Sequence, residues 1–80
     1  MTVSIHAYAR LKDYFSPVFE VNLPERATLA DAIREIIRLN PDSSETIGCC
    51  RMAVNQEYVD QNHKLQGNEE ILIFPPSSGG

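Results

Sequence analysis

The chain has 80 residues, 42% hydrophobic and 22% charged, with a net charge of −4 at neutral pH. That length supports one domain with a small core, and no apolar run approaches the roughly 20 residues of a membrane span. The acidic balance argues against nucleic-acid binding, which needs a basic stripe to displace counterions; with no signal-peptide pattern either, the expectation is a cytoplasmic protein whose partner offers a basic docking surface.

The first element is read from alternation. Thr2–Tyr8 places Val3, Ile5 and Ala7 on one face and His6 on the other, the pattern of a half-buried strand. His6 is then expected in solvent. Leu11, Tyr14 and Phe15 follow helical spacing, so a short helix is predicted before Ser16-Pro17. Phe19, Val21 and Leu23 alternate within a second strand, Val18–Leu23.

Pro24–Ala27 turns the chain into its clearest element. Thr28-Leu29-Ala30-Asp31 has the spacing of a capping box, with Asp in place of Glu. Leu29, Ala32, Ile33, Ile36 and Ile37 form one apolar stripe at helical period, and Asn40-Pro41 stops it. Such a stripe is core packing.

Asp42–Gly48 reads as a polar loop. Cys50, Met52 and Val54 share one parity of a third strand, and Asn55-Gln56 reads as a turn into Glu57-Tyr58-Val59. Adjacent strand residues point to opposite faces, so Cys49 and Cys50 are expected as reduced thiols, one of them in the core. Neither thiol stands at a zinc spacing from the other, from His6 or from His63, so no metal site is expected. Leu65–Asn68 turns the chain again. In the last strand, Glu70–Phe74, four consecutive apolar residues suggest cover on both faces.

The order is strand, short helix, strand, long helix, strand, turn, strand. It predicts an α+β fold, a mixed sheet with one main helix across one face. If Ile71 and Ile73 face the helix, Leu72 and Phe74 face away, and by the same parity so does Tyr8. If the first and last strands are neighbours, Tyr8, Leu72 and Phe74 form an apolar patch of the kind that marks an interface.

The chain closes on Pro75-Pro76-Ser77-Ser78-Gly79-Gly80. A Gly-Gly end has nothing to pack and loses much entropy when ordered. It is either a flexible linker-like end or a carried substrate, since two residues without Cβ can thread a narrow channel and deliver an α-carboxylate. That carboxylate ionises with a pKa of roughly 3.3–3.7 and is a poor electrophile, so using it would require activation by ATP. Four residue steps from Pro76 to Gly80 span roughly 13–14 Å when extended, and Pro75-Pro76 favours an extended exit.

These features resemble the ubiquitin-like, β-grasp sulfur carriers of the ThiS and MoaD type. The resemblance rests on Tyr8-Ala9-Arg10-Leu11, on Met52-Ala53-Val54-Asn55-Gln56, and above all on Gly67–Pro76 with the terminal Gly79-Gly80. The aromatic residue, two prolines, two spacer residues and final Gly-Gly look like the molybdopterin synthase small subunit. Cys49-Cys50 is no family feature, and Lys12 stands where many members carry arginine.

The resemblance implies a β-grasp domain over residues 1–76 and a flexible tail over 77–80. It implies a sulfur carrier whose Gly80 is adenylated with Mg-ATP by an E1-like (MoeB-like) enzyme and then converted to a thiocarboxylate by a sulfur donor. Catalytic residues are then expected on the large subunit (MoaE-like), which takes the sulfur into the dithiolene of the molybdenum cofactor. Tyr8, Leu72 and Phe74 would bind that partner, with no cofactor or metal held by the chain. The alternatives are a carrier for thiamine or another thiolation, and a ubiquitin-like protein modifier. No Ser/His/Asp set or phosphate-binding glycine loop points to a free-standing enzyme.

Overall fold

Alternating apolar residues produce five strands: β1 (Thr2–Ala7), β2 (Val18–Asn22), β3 (Arg51–Val54), β4 (Glu57–Tyr58) and β5 (Glu70–Phe74). They form one mixed sheet in the order β2-β1-β5-β3-β4. β1 and β5 are parallel at its centre, and the other pairs are antiparallel. Helix α1 (Leu29–Leu39) packs against one face, and a short helix α2 (Ser44–Gly48) follows it. This is the α+β architecture expected from the sequence. The computed structural model describes residues 1–75; Pro76, Ser77, Ser78, Gly79 and Gly80 lie outside the described residues.

Strand register builds the core. Val3 stands opposite Val21, Ile5 opposite both Phe19 and Ile71, and Ala7 opposite Ile73. Met52 pairs with Ile73, and Val54 with Ile71. One parity of β1, β2, β3 and β5 thus presents an apolar row to α1, which contributes Leu29, Ala32 and Ile36 as buried residues, with Ile33 and Ile37 partly covered. Each fully buried Ile or Leu contributes about 1.5–3 kcal/mol. The capping box is complete: the Asp31 N–H donates to Thr28 Oγ1 at 3.3 Å, and the Thr28 N–H donates to Asp31 Oδ2 at 2.9 Å.

Four details differ from the sequence reading. The segment expected as a polar loop, Asp42–Gly48, is a 3-10 turn (Pro41–Ser43) running into α2. It is anchored by buried Ser43, whose hydroxyl donates to the Asn40 carbonyl at 2.6 Å, and by buried Ile47. One apolar residue in so short a helix leaves no visible period. As a second consequence, Cys49 and Cys50 are not strand neighbours: Cys49 caps α2 and is exposed, while Cys50 is half-buried against the core.

The third difference is the short helix, which is a 3-10 turn at Ala9–Asp13 with Leu11 buried. β1 accordingly ends at Ala7, because Ala9 turns the chain with φ +52°. Finally, β5 is not covered on both faces: Ile71 and Ile73 are buried, and Leu72 and Phe74 are half-buried. Four apolar residues in a row arise because a central strand meets the helix on one side and an apolar outer patch on the other.

Two measurements check this packing. Thr28→Ala removes one arm of the cap and should cost about 1 kcal/mol, lowering the melting midpoint by about 4–8 °C for a domain of this size, while Thr28→Ser should preserve it. The thiols should also separate kinetically. Burial pushes the Cys50 thiol up, with the neighbouring Cys49 adding to the shift, so less Cys50 thiolate exists at a given pH. At neutral pH iodoacetamide should therefore label exposed Cys49 first, with Cys50 adducts accumulating as pH rises. Equal rates at both thiols would contradict this packing.

Candidate functional site

The face of the sheet turned away from α1 collects the other strand parity. Register sorts it into rows. Glu20, Ser4 and Glu70 align across β2, β1 and β5. Val18, His6, Leu72, Ala53 and Tyr58 align across all five strands. Arg51 stands opposite Phe74, and Tyr8, just beyond β1, lies beside Phe74.

The three residues expected to form a patch are brought together. Tyr8 and Phe74 stack with ring centroids 5.1 Å apart and planes 9° from parallel. Leu72 lies one row further back on the same strand and face. Tyr8 remains 40% exposed. Its backbone is extended, with φ −116° and ψ 154°, and the positive φ of Ala9 then turns the chain away. This keeps Tyr8 on the strand's outer face.

The sequence reading missed Tyr58, Arg51 and Val18. Tyr58 is 67% exposed and lies 6.4 Å from Phe74, tilted by 59°. The Arg51 guanidinium sits over the Tyr58 ring at 5.3 Å. Val18 extends the apolar row to the edge strand, 55% exposed. The place of Tyr58 depends on the register of the β3–β4 hairpin. A two-residue turn at Asn55-Gln56 pairs Val54 with Glu57 and Ala53 with Tyr58, and both turn residues indeed have positive φ. The side chain of Asn55 ties this turn to β5 by accepting the Glu70 N–H at 3.0 Å.

The result is an aromatic strip across β1, β5 and β4, centred on Phe74 at the chain's exit from the sheet. Stacked pairs contribute about 0.5–1.5 kcal/mol beyond their burial, so the rings are held in place before any partner arrives. His6 faces the same side, with Nε2 3.5 Å from Glu70 Oε2. It is half-buried, not the solvated residue expected. Pro75 is half-buried and is the last described residue. The expectations for Pro76, Ser77, Ser78, Gly79 and Gly80 lie outside the described residues.

The helical side carries an apolar cleft of about 440 Å³, lined by Ile33, Ile37, Ile47, Met52 and Val59 among others and reaching Arg51 and Tyr58 at the edge of the strip. None of the predicted site residues lines it. Among the described residues no group of three His, Cys, Asp or Glu side chains gathers to hold a metal ion. No helix among them is long and apolar enough to cross a membrane.

The comparisons with known proteins point to one family. The molybdopterin synthase sulfur carrier subunit of Dictyostelium discoideum is 41% identical over 63 residues, covering 75% of this chain and 73% of that protein. The solved complex of subunits 1 and 2 of molybdopterin-converting factor from Helicobacter pylori contains a chain with TM-score 0.75 and 25% identity, each chain covered completely. Small archaeal modifier protein 1 of Haloferax volcanii has TM-score 0.85, covering 94% of this chain and 97% of that one, and at 20% identity this likeness shows the fold alone. The ThiS family model matches residues 5–80, and the chain belongs to that family.

Proposed function

We propose that the chain is the sulfur-carrier subunit of a molybdopterin synthase. The observation that carries this reading is the placement of the C-terminal strand. β5 lies between β1 and β3 at the sheet's centre, and its last residue is the middle ring of the aromatic strip. The sequence continues to Gly79-Gly80. A rigid anchor therefore stands next to a segment built to enter a narrow channel.

The chemistry belongs to the Gly80 carboxylate. Its oxygen attacks the α-phosphorus of Mg-ATP on an E1-like enzyme and pyrophosphate leaves. A sulfide-level sulfur nucleophile then attacks the acyl carbon, AMP departs with the bond electrons, and a thiocarboxylate remains. Once docked on the large subunit, the chain presents this sulfur to a pterin precursor for dithiolene formation. The chain itself supplies binding, reach and the group consumed; acid–base residues are assigned to the large subunit. A cytoplasmic location fits the use of ATP. The name of the Dictyostelium relative favours the pterin as acceptor over a thiamine precursor.

Incubation with the activating enzyme, Mg-ATP and a sulfur source should replace one oxygen by sulfur in the intact mass, and fragmentation should place the change on Gly80. Sulfur found on Cys49 or Cys50 would sink the assignment. A residue added after Gly80 should abolish activation without moving the melting point, because Gly79 and Gly80 carry no side chains to pack.

Phe74→Ala should weaken binding to the large subunit by about 2 kcal/mol or more, roughly 30-fold in Kd, and Tyr58→Ala by less because Tyr58 stands at the edge. Both variants should keep a cooperative melt, since neither side chain is part of the buried core. Unchanged affinity for Phe74→Ala would remove the aromatic strip from the interface.

A further inference from the structure

We infer that the open face of the sheet is electrically polarised along its strands, and that this polarity sets the orientation in which the large subunit is docked, with Glu20 and Glu70 meeting basic side chains of that partner. The inference rests on the reading of the chain as a carrier that docks through this face.

The register supplies the geometry. The row nearest the chain's exit holds Tyr8, Phe74 and the cation of Arg51. The middle row, Val18, His6, Leu72, Ala53 and Tyr58, carries no carboxylate. The far row holds Glu20, Ser4 and Glu70. Four residues along a strand separate the first row from the third, or roughly 13–14 Å. Two strand spacings separate Glu20 from Glu70, or roughly 9–10 Å. The face is cationic at the exit, apolar in the middle and anionic at the far end.

Folding gives no reason for the anionic row. The half-buried carboxylates of α1 are offset locally, Asp31 by Arg34 and Glu35 by Arg38. Glu20 and Glu70 are exposed and have no lysine or arginine partner among the described residues; only His6 approaches Glu70. Two like charges on one row repel, a small cost that an apolar or neutral pair would not incur. Docking gives the reason. Apolar contact is non-directional, so an aromatic strip alone would accept a partner turned end for end. The tail must enter a channel, and only one orientation achieves that. A polarised face penalises the reversed complex by setting like charges together, and it steers the correct one. It therefore fits a partner that is acidic beside its channel mouth and basic about 13–14 Å away.

The test is stopped-flow association of the full chain with the large subunit of the same organism, at low and high salt. Glu20→Lys/Glu70→Lys should slow association at low salt by about tenfold or more and flatten the salt dependence, with dissociation changed by no more than about twofold. Asp42→Lys/Glu45→Lys makes the same change of net charge in the helical layer and should slow association far less. Arg51→Glu separates polarity from bulk attraction. It adds negative charge, so a partner that is simply basic would associate faster, whereas a polarised face associates more slowly. Melting curves verify that each variant is folded. A Glu20→Lys/Glu70→Lys chain no slower than the Asp42→Lys/Glu45→Lys control, or an accelerated Arg51→Glu chain, overturns the polarity alone. Failure of the unmodified chain to bind at any salt overturns the functional reading, and the polarity with it.

Discussion

The parallel pairing of β1 with β5 is the constraint on which the rest of the molecule depends. Parallel neighbours cannot be joined by a tight turn and need a crossover; here the intervening chain supplies α1 as cover and β2, β3 and β4 as flanks. Ile5 opposite Ile71 and Ala7 opposite Ile73 lock the register through fully or nearly fully buried side chains. A slip of one residue would carry every apolar side chain to the wrong face. The strand that leads to the C-terminus is thereby bonded on both sides. Core strands are the last parts of a domain to open, so the chain leaves the sheet from a fixed point.

Local backbone strain then aims the groups around that point. Ala9 adopts a left-handed conformation without being glycine, a cost of about 1–2 kcal/mol. Burial of Leu11 and the stack of Tyr8 on Phe74 offset it. At the other end of β5, Gly67 with φ +93° and Asn68 with φ +57° make a tight turn. The Glu69 side chain holds it by accepting the N–H groups of Gln66 and Gly67, while the Glu69 carbonyl accepts the Ser4 N–H at 2.9 Å. That last bond begins the parallel ladder. The turn therefore sets where β5 starts, and so which residues reach the outer face at its end.

Much of this was legible because periodicity and burial coincide. Val3-Ile5-Ala7, the stripe of α1 and its Thr28–Asp31 box each state one face plainly, and each forms as read. The α2 segment was not legible, since Ile47 is its single buried apolar residue and propensity does not distinguish so short a helix from a loop. The patch of Tyr8, Leu72 and Phe74 followed from parity together with the neighbouring first and last strands of the β-grasp. Tyr58 did not, because its place depends on the register of a hairpin whose turn is Asn-Gln and not the more usual Asn-Gly. Gln56 occupies a positive φ that glycine would take without cost, so the turn signal was weak. His6 was misjudged for a different reason. Parity gave the correct face, but that face is partly covered by its own apolar residues.

The separation of anchor from reactive group has a mechanical consequence. Five residues follow Pro75, and a fully extended chain of that length reaches no more than roughly 16–18 Å. On the proposed function, in which Gly80 is the reacting residue, an acceptor channel lies within that reach of Pro75. If the partner docks on the aromatic strip as proposed, the rings are already stacked in the free chain and lose little side-chain freedom on docking. On the proposed function, conversion of the terminal carboxylate to a thiocarboxylate exchanges one oxygen for one sulfur and leaves the rings unchanged, so docking by itself discriminates poorly between loaded and spent carriers. Discrimination has to occur in the channel, where one sulfur replaces one oxygen, and turnover then depends on an anchor weak enough to release the spent chain. An exposed aromatic strip flanked by screened charges is suited to that requirement, since surface charge speeds arrival more than it delays departure.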